Sequence, residues 1–81
     1  MDQLITDWLT EYLSPYFKAN DLAVDINTSF DTLGLDSVTR VEMIGALEEA
    51  FGLDLDPVLG FEYPTIKSLK QQIIAQEVTH A

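Results

Sequence analysis

The absence of cysteine is the feature that most constrains how this chain can fold. Its 81 residues form one small domain, and domains of this size often depend on disulfides or a bound metal. The chain has no cysteine, and its single histidine, His80, lies next to the end of the sequence. Its stability must therefore come from packing alone, which favours a compact helical bundle. A lack of cysteine also fits a reducing compartment, so we expect a cytoplasmic protein.

The chain is strongly acidic, with a net charge of −10. Such a surface repels nucleic acid and anionic membranes and steers the protein towards basic partners. No apolar run approaches the roughly 20 residues needed to cross a bilayer, and the acidic, amphipathic first residues do not resemble a signal peptide. We expect a monomer that binds neither nucleic acid nor membrane. The acidity serves either solubility alone or partner binding, and the positions of the acidic residues decide between the two.

Apolar residues near the start of the chain recur at helical spacing and predict a first amphipathic helix. They are Leu4, Ile5, Trp8, Leu9, Tyr12, Leu13, Tyr16 and Phe17. Pro15 interrupts this pattern, but the apolar stripe continues beyond it, which favours a kinked helix over one that ends near Leu13. Trp8 is interpreted as a core residue of this helix.

The segment from Asn20 to Asp36 has no helical period. Its first part, from Leu22 to Ile26, alternates apolar and polar residues as a short strand would, but a lone strand would have no pairing partner. A long loop held to the bundle by apolar side chains is the favoured interpretation. Those side chains are Ile26, Phe30, Leu33 and Leu35. Loops of this length are uncommon unless they are functional.

A second helix is predicted from Ser37 to Phe51, with Asp36 or Ser37 as its cap and Gly52 after its end. At 100° per residue, one side of this helix is apolar and is expected to be buried. It holds Met43, Ile44, Leu47, Ala50 and Phe51. The opposite side is acidic, yet it also holds two valines and Gly45, which costs about 1 kcal/mol relative to alanine. We interpret this side as a docking face formed by Asp36, Val38, Val41, Glu42, Glu48 and Glu49.

The last third of the chain predicts a single helical turn and then a final helix. Residues 58–61 can form the turn, and Thr65 is placed to cap a helix whose apolar positions begin at Ile66. The tail, residues 77–81, is expected to be frayed or disordered, which leaves a core of about residues 3–76. The fold class is therefore all-α: a small four-helix bundle with three main helices, one short helix and one long loop.

Ser37 is the most informative functional candidate, and three roles are open to it: catalytic nucleophile, helix cap and covalent attachment point. A catalytic serine needs a base and an oxyanion donor, but no histidine or lysine is placed nearby, and Leu35 and Thr39 replace the glycines of a Gly-x-Ser-x-Gly elbow. A simple helix cap is the ordinary role of a serine at this position. A covalent attachment point would need an exposed hydroxyl beside a recognisable helix, and the sequence predicts both. Asp54-x-Asp56 lacks the pattern of a calcium loop and predicts no metal site.

Three segments together resemble acyl carrier proteins of the polyketide synthase type. The attachment motif of that family is similar to Phe30-x-x-Leu33-Gly34-Leu35-Asp36-Ser37-Val38-x-x-Val41-Glu42-Met43, and the match continues through Leu47-Glu48-Glu49-Ala50-Phe51-Gly52. Phe61-Glu62-Tyr63-Pro64-Thr65-Ile66 is similar to a segment typical of polyketide carriers. The resemblance covers approximately residues 28–74. It implies a four-helix bundle that is a carrier and not an enzyme.

The resemblance also implies a cofactor and partners. In that family the matching serine, here Ser37, carries 4′-phosphopantetheine, which a magnesium-dependent phosphopantetheinyl transferase donates from coenzyme A. Acyl groups are held as thioesters on the thiol of this arm. The implied partners are the transferase, an acyl-loading enzyme (an acyl-AMP ligase or an acyltransferase), and a ketosynthase with other polyketide or fatty-acid tailoring enzymes. These dock on the second helix through basic patches.

Some residues depart from the family pattern, and two other classes of protein stay open. Val38 replaces the usual leucine, Met43 stands where some β-branching carriers have tryptophan, and Arg40 falls on the core-facing side of the second helix. A peptidyl carrier is an alternative, although such carriers usually have Gly-Gly-x-Ser at this site and Asp36 before Ser37 favours an acyl carrier; a non-covalent acidic helical adaptor is another. Met1 directly before the first helix suggests a free-standing protein, and an excised domain would look the same. The cargo is set by enzymes that this sequence does not contain.

Overall fold

A computed structural model of the protein describes the backbone of residues 2–80 and the side chains of residues 2–77. It contains four helices: α1 (Asp2–Ala19), α2 (Ser37–Phe51), α3 (Leu59–Glu62) and α4 (Ile66–His80). Within residues 2–80 there is no β-strand, only an isolated antiparallel bridge between Ser29 and Thr65. The predicted all-α architecture of three main helices and one short helix is confirmed.

Helix α1 supplies one continuous row to the core. Ile5, Leu9, Leu13 and Phe17 are buried at intervals of four residues. The helix continues through Pro15 to Ala19, which confirms the interpretation that it does not end near Leu13. Pro15 and Glu11, whose carbonyl group loses its helical N–H donor to the proline, are both exposed, so water can satisfy that carbonyl.

The long loop packs into the core as the sequence predicts. Phe30, Leu33 and Leu35 are at most 4 % exposed, whereas Leu22 and Val24 are 39 % and 49 % exposed. The loop is also joined to the start of α4, because the Phe30 N–H donates to Pro64 O at 2.7 Å and the Lys67 N–H donates to Ile26 O at 3.0 Å. The described backbone forms no strand between residues 20 and 36, so the loop interpretation is confirmed.

The buried side of α2 is narrower than the sequence predicts. Met43, Ile44 and Leu47 are fully buried, and Phe51 is half-buried, but Ala50 is exposed, so its placement in the core was wrong. In the last turn of α2, Phe51 packs against the core and its ring contacts that of Trp8 on α1 edge to face. Ala50, the preceding residue, takes no part in this contact. Helix α2 then ends at Gly52, which has the predicted left-handed backbone with φ 65° and ψ 35°.

Helix α4 begins at a reciprocal cap. The Ser68 N–H donates to Thr65 Oγ1 at 3.0 Å, and the Thr65 N–H donates to Ser68 Oγ at 3.1 Å, so the predicted capping role of Thr65 is confirmed. The backbone is helical to His80, into the segment 77–81 that the sequence predicts to fray; this fraying stays a prediction, and Ala81 lies outside the described residues. None of the helices within residues 2–80 has the length and apolar character needed to cross a membrane.

Candidate functional site

Ser37 is the first residue of α2, and its side chain is exposed. The cap of this helix is the preceding residue, Asp36, whose backbone is extended at φ −80° and ψ 178° and whose Oδ1 accepts the Thr39 N–H at 2.8 Å. The sequence left the cap open between these two residues, and the structure assigns it to Asp36. Among residues 2–77, no side chain or backbone group forms a hydrogen bond with the Ser37 hydroxyl, so the capping role does not explain this serine.

The turn before Ser37 has a defined shape. Gly34 adopts φ +77°, a left-handed conformation that side chains rarely tolerate, and its N–H donates to Asp31 O at 3.0 Å. The residues on either side, Leu33 and Leu35, are buried, and the Leu35 N–H donates to Phe30 O at 3.0 Å. The backbone therefore leaves the core two residues before Ser37, and the hydroxyl is presented from an ordered loop end.

Hydrogen bonding favours the ionised form of the Asp36 carboxyl. The backbone N–H of Thr39, with a further contribution from the Thr39 side chain, lowers the pKa of the Asp36 carboxyl below its ordinary value of 3.8. A carboxylate next to a helix N-terminus is also favoured by the helix dipole. Asp36 is therefore ionised at neutral pH and keeps one negative charge beside Ser37.

Besides the Ser37 hydroxyl, a catalytic site would need a base or a bound metal ion. The side chain of His80, the single histidine of the sequence, lies outside the described side chains. Across the described residues no group of three or more histidine, cysteine, aspartate or glutamate side chains could hold a metal ion. What the site offers is an accessible hydroxyl at a helix N-terminus, which another enzyme could modify.

The docking face predicted on α2 is a solvent-exposed surface. Val38 and Val41 are 65 % and 45 % exposed, and Glu42 and Glu49 are exposed beside them. Glu48 differs, since it is half-buried and its Oε2 accepts the Leu55 N–H at 3.0 Å. That bond joins α2 to the segment after it, a structural role that the helical pattern alone did not indicate.

Arg40 is buried on the core-facing side of α2, as its position on the helix predicts, and is 7 % exposed. Its Nε donates to Leu35 O at 3.1 Å, and its Nη1 approaches Gly60 O at 3.5 Å. Nη2 forms an ion pair with the exposed carboxylate of Asp31. The Phe61 ring centroid lies 5.3 Å from the guanidinium carbon. An acidic partner agrees with the position of Arg40 in the sequence, but the helical pattern did not identify which residues would contact the guanidinium.

Trp8 lies at the edge of the core and is half-buried, so its interpretation as a core residue holds only in part. Its ring stacks on Tyr12 with centroids 5.0 Å apart and meets Phe51 edge to face at 6.4 Å. Partial burial raises the pKa of the Tyr12 hydroxyl, as do the nearby Tyr16 and Glu42. This aromatic cluster joins α1 to the C-terminal part of α2, away from Ser37 in the sequence.

Comparison with known proteins identifies the class to which this bundle belongs. Residues 7–73 match the family described as "Phosphopantetheine attachment site". The chain is 43% identical over 76 residues to pikromycin polyketide synthase component PikAII of Streptomyces venezuelae. The aligned region covers 94% of this chain and 2% of that protein. It is 42% identical over 64 residues to mycoketide-CoA synthase of Mycobacterium tuberculosis, and this aligned region covers 72% of this chain and 2% of that protein.

A third relative is polyketide synthase PksL of Bacillus subtilis, 29% identical over 70 residues, with 86% of this chain and 2% of that protein covered. The chain thus spans about one fiftieth of the length of these relatives. Because the family match covers most of its length, the chain belongs to the phosphopantetheine attachment family, as the sequence resemblance implies. Members of this family are carriers and not catalysts, and their prosthetic group is a covalently attached 4′-phosphopantetheine.

Proposed function

We propose that Ser37 is the attachment residue, and that this carrier holds acyl or polyketide intermediates as thioesters on the arm and presents them to partner enzymes. The observation that supports the assignment is the division of roles at the start of α2. Asp36 caps the helix, so the exposed Ser37 hydroxyl is left available for modification. The residues present fit the group, because a phosphodiester is well placed at a helix N-terminus.

Attachment is one phosphoryl transfer from coenzyme A. Ser37 Oγ attacks the phosphorus that bears pantetheine, a new O–P bond forms, and the phosphoanhydride P–O bond breaks. Adenosine 3′,5′-bisphosphate leaves with the electron pair of that bond, and the hydroxyl proton passes to a base. We expect the transferase to supply this base, since no side chain of residues 2–77 forms a hydrogen bond with the hydroxyl. The attached arm supplies a terminal thiol that forms the thioester.

The docking face supports binding to basic enzymes. Val38 and Val41 offer apolar contact, while Glu42 and Glu49 offer exposed negative charge on the same helix as Ser37. Charge complementarity of this kind raises association rates and is weakened by salt. Asp36 and Glu48 are part of the face, each with one oxygen already held by a backbone N–H. Such a surface suits brief encounters with a transferase, an acyl-loading enzyme and a ketosynthase.

Two observations favour an acyl or polyketide cargo over an aminoacyl cargo. The chain has Gly34-Leu35-Asp36 before Ser37, not the Gly-Gly-x usual in peptidyl carriers, and two of the relatives named above are polyketide synthases. A peptidyl carrier is the second candidate. Since the chain matches only a small part of those relatives, the synthase enzymes with which it works and their substrates belong to this proposal as well.

Loading of the arm distinguishes the two cargo classes. The phosphopantetheinylated protein is incubated with malonyl-CoA and an acyltransferase, or with an amino acid, ATP and an aminoacyl-adenylate-forming enzyme. We expect a mass increase of one acyl group with the acyltransferase only, reversed by hydroxylamine because a thioester is cleaved by this nucleophile. Ser37→Ala is the matched control and should stay unloaded. If the protein were loaded in the reaction with the amino acid and not in the reaction with malonyl-CoA, it would instead be a peptidyl carrier.

A further inference from the structure

Arg40 is the one charged side chain that is buried among the described residues. Placing a guanidinium in a protein interior is costly unless its donors are satisfied. Here they are satisfied by the carbonyl oxygens of Leu35 and Gly60 and by the carboxylate of Asp31. These three acceptors, with the ring of Phe61, form what we call the Arg40 network. They come from the long loop and from α3, so one side chain on α2 joins two other segments of the fold.

On the loop side, the Arg40 network holds the backbone directly before Ser37. Nε of Arg40 donates to Leu35 O at 3.1 Å, and the backbone N–H of Arg40 donates to Asp36 O at 3.1 Å. The backbone bond is the ordinary first bond of the helix, which any residue except proline would make at position 40. The side chain of Arg40 adds the bond to Leu35 O, two residues before Ser37.

On the other side, the Arg40 network holds α3. The Phe61 ring centroid lies 5.3 Å from the guanidinium carbon, and Gly60 O accepts from Nη1 at 3.5 Å. Gly60 permits this approach, because a Cβ at position 60 would lie 3.2 Å from Arg40 Cβ, closer than such carbons usually come. The position of α3 and the conformation of the loop end thus depend on the same guanidinium.

We propose that Arg40 is a positioning residue for the modification of Ser37: it holds residues 35–37 in the conformation in which a transferase receives the hydroxyl, and it couples α3 to that conformation. This inference rests on the proposed attachment at Ser37. The fork of Nε and two Nη groups reaches several acceptors at once, which the single ammonium of lysine cannot reproduce. Asp31 is the outermost of the acceptors, since its side chain is 82 % exposed whereas that of Arg40 is 8 % exposed.

The physical consequence is a change in the population of competent carrier. If the loop end samples other conformations, only a fraction of the protein can engage the transferase, and its apparent affinity falls by that fraction. The turnover of molecules that do bind is then unchanged. A role confined to global stability would behave differently, because it would lower the melting temperature without altering KM in a fully folded sample.

The test is the steady-state kinetics of phosphopantetheine transfer, with saturating coenzyme A and varied carrier concentration. It compares the wild type with Arg40→Met, which keeps an unbranched apolar stem, with Arg40→Lys, and with Asp21→Asn, a change of one exposed loop carboxylate outside the Arg40 network, as the matched control. All are assayed at a temperature where circular dichroism shows them folded. We expect KM for Arg40→Met to rise about tenfold with kcat nearly unchanged, an intermediate KM for Arg40→Lys, and a KM within about twofold of wild type for Asp21→Asn.

Amide hydrogen exchange supplies an independent readout on the same proteins. We expect Arg40→Lys to lose protection within residues 30–40 and 59–63, while the amides of the α1 core row keep theirs. If Arg40→Met does not fold, Arg40→Lys alone decides. A KM of the Arg40 variants equal to that of Asp21→Asn, with unchanged local exchange, would overturn the inference. A wild type that no transferase modifies would instead overturn the proposed attachment at Ser37, so the two failures are distinguishable.

Discussion

The carboxylate of Asp36 accepts the backbone N–H of Thr39 at 2.8 Å, and this bond leaves Ser37, which lies between them, outside the cap of α2. Capping requires a side-chain acceptor at the residue that precedes the helix, and Asp36 meets that need. The hydroxyl of Ser37 is therefore released from a structural role at the position where serines most often have one. The same bond ties the charge of Asp36 to the stability of α2.

The stabilising effect of Asp36 should depend on pH. Its pKa is lower in the folded protein than the ordinary value of 3.8, so its ionised form stabilises the fold above that value and the contribution is lost as the pH falls through the lower, folded pKa. Asp36→Asn keeps a capping oxygen but has no charge. In urea titrations, wild type should be the more stable protein near neutral pH, and the difference should shrink in strong acid. A difference that grows in acid would contradict the assigned bond.

Charge reversal on the docking face should slow partner reactions without unfolding α2. Glu42→Lys with Glu49→Lys places two positive charges where a basic partner would bind, and both positions are exposed, so the helix should persist. We expect the rate of transfer to the carrier at low ionic strength to fall by about tenfold or more, and the effect to weaken as salt is added.

The matched control changes the net charge of the protein by the same amount, but at positions outside the docking face. Asp7→Lys with Asp54→Lys alters two exposed carboxylates outside the docking face, and this variant should retain a rate close to that of the wild type. Circular dichroism checks that both double variants keep their helices. Equal rates for the two double variants would place partner binding on another surface.

Phe30 should contribute to stability as a core residue although it lies in a loop. Its side chain is fully buried in the core, so Phe30→Ala would leave a cavity there. We expect the free energy of unfolding to fall by about 3–5 kcal/mol. Leu22→Ala, in the same loop but at a side chain that is 39 % exposed, should cost less than about 1 kcal/mol. Chemical denaturation measures both, and similar losses would mean that the loop is not anchored at Phe30.

Two glycines should respond in opposite ways to the same substitution. A Cβ at Gly45 meets no heavy atom within 4 Å, so Gly45→Ala should stabilise α2 by about 1 kcal/mol. A Cβ at Gly60 would lie 3.2 Å from Arg40 Cβ, which belongs to the rigid stem of α2, so Gly60→Ala should push α3 away and lower the melting temperature. An increase in melting temperature for Gly60→Ala would show that the contact relaxes freely.

Much of this architecture could be predicted because the controlling signals are local. The four-residue spacing of the α1 core row, the cap at Thr65 and the glycine after α2 each act within a few residues of where they stand. The exposure of Val38 and Val41 followed from the angular position of each residue on one helix. Periodicity and capping describe such short-range geometry well.

What could not be predicted depends on contacts between distant segments. Arg40 pairs with groups nine and twenty residues away, and the partner of Glu48 lies beyond the end of its own helix. The exposure of Ala50 depends on how Phe51 meets Trp8 on α1. The choice of Asp36 over Ser37 as the cap required the backbone angles at the start of α2. In each case the helical pattern predicts on which side of the helix a residue lies, but not which residue of another segment it contacts.

The intact mass of the protein after incubation with coenzyme A and a broad-specificity phosphopantetheinyl transferase tests the assignment of Ser37 most directly. Ser37→Ala removes the proposed nucleophile, and Ser29→Ala, at a partly buried serine of the long loop, serves as the control. The expected result is the addition of one phosphopantetheine per chain in the wild type and in Ser29→Ala, and none in Ser37→Ala. An unchanged mass for the wild type, or full modification of Ser37→Ala, would contradict the assignment.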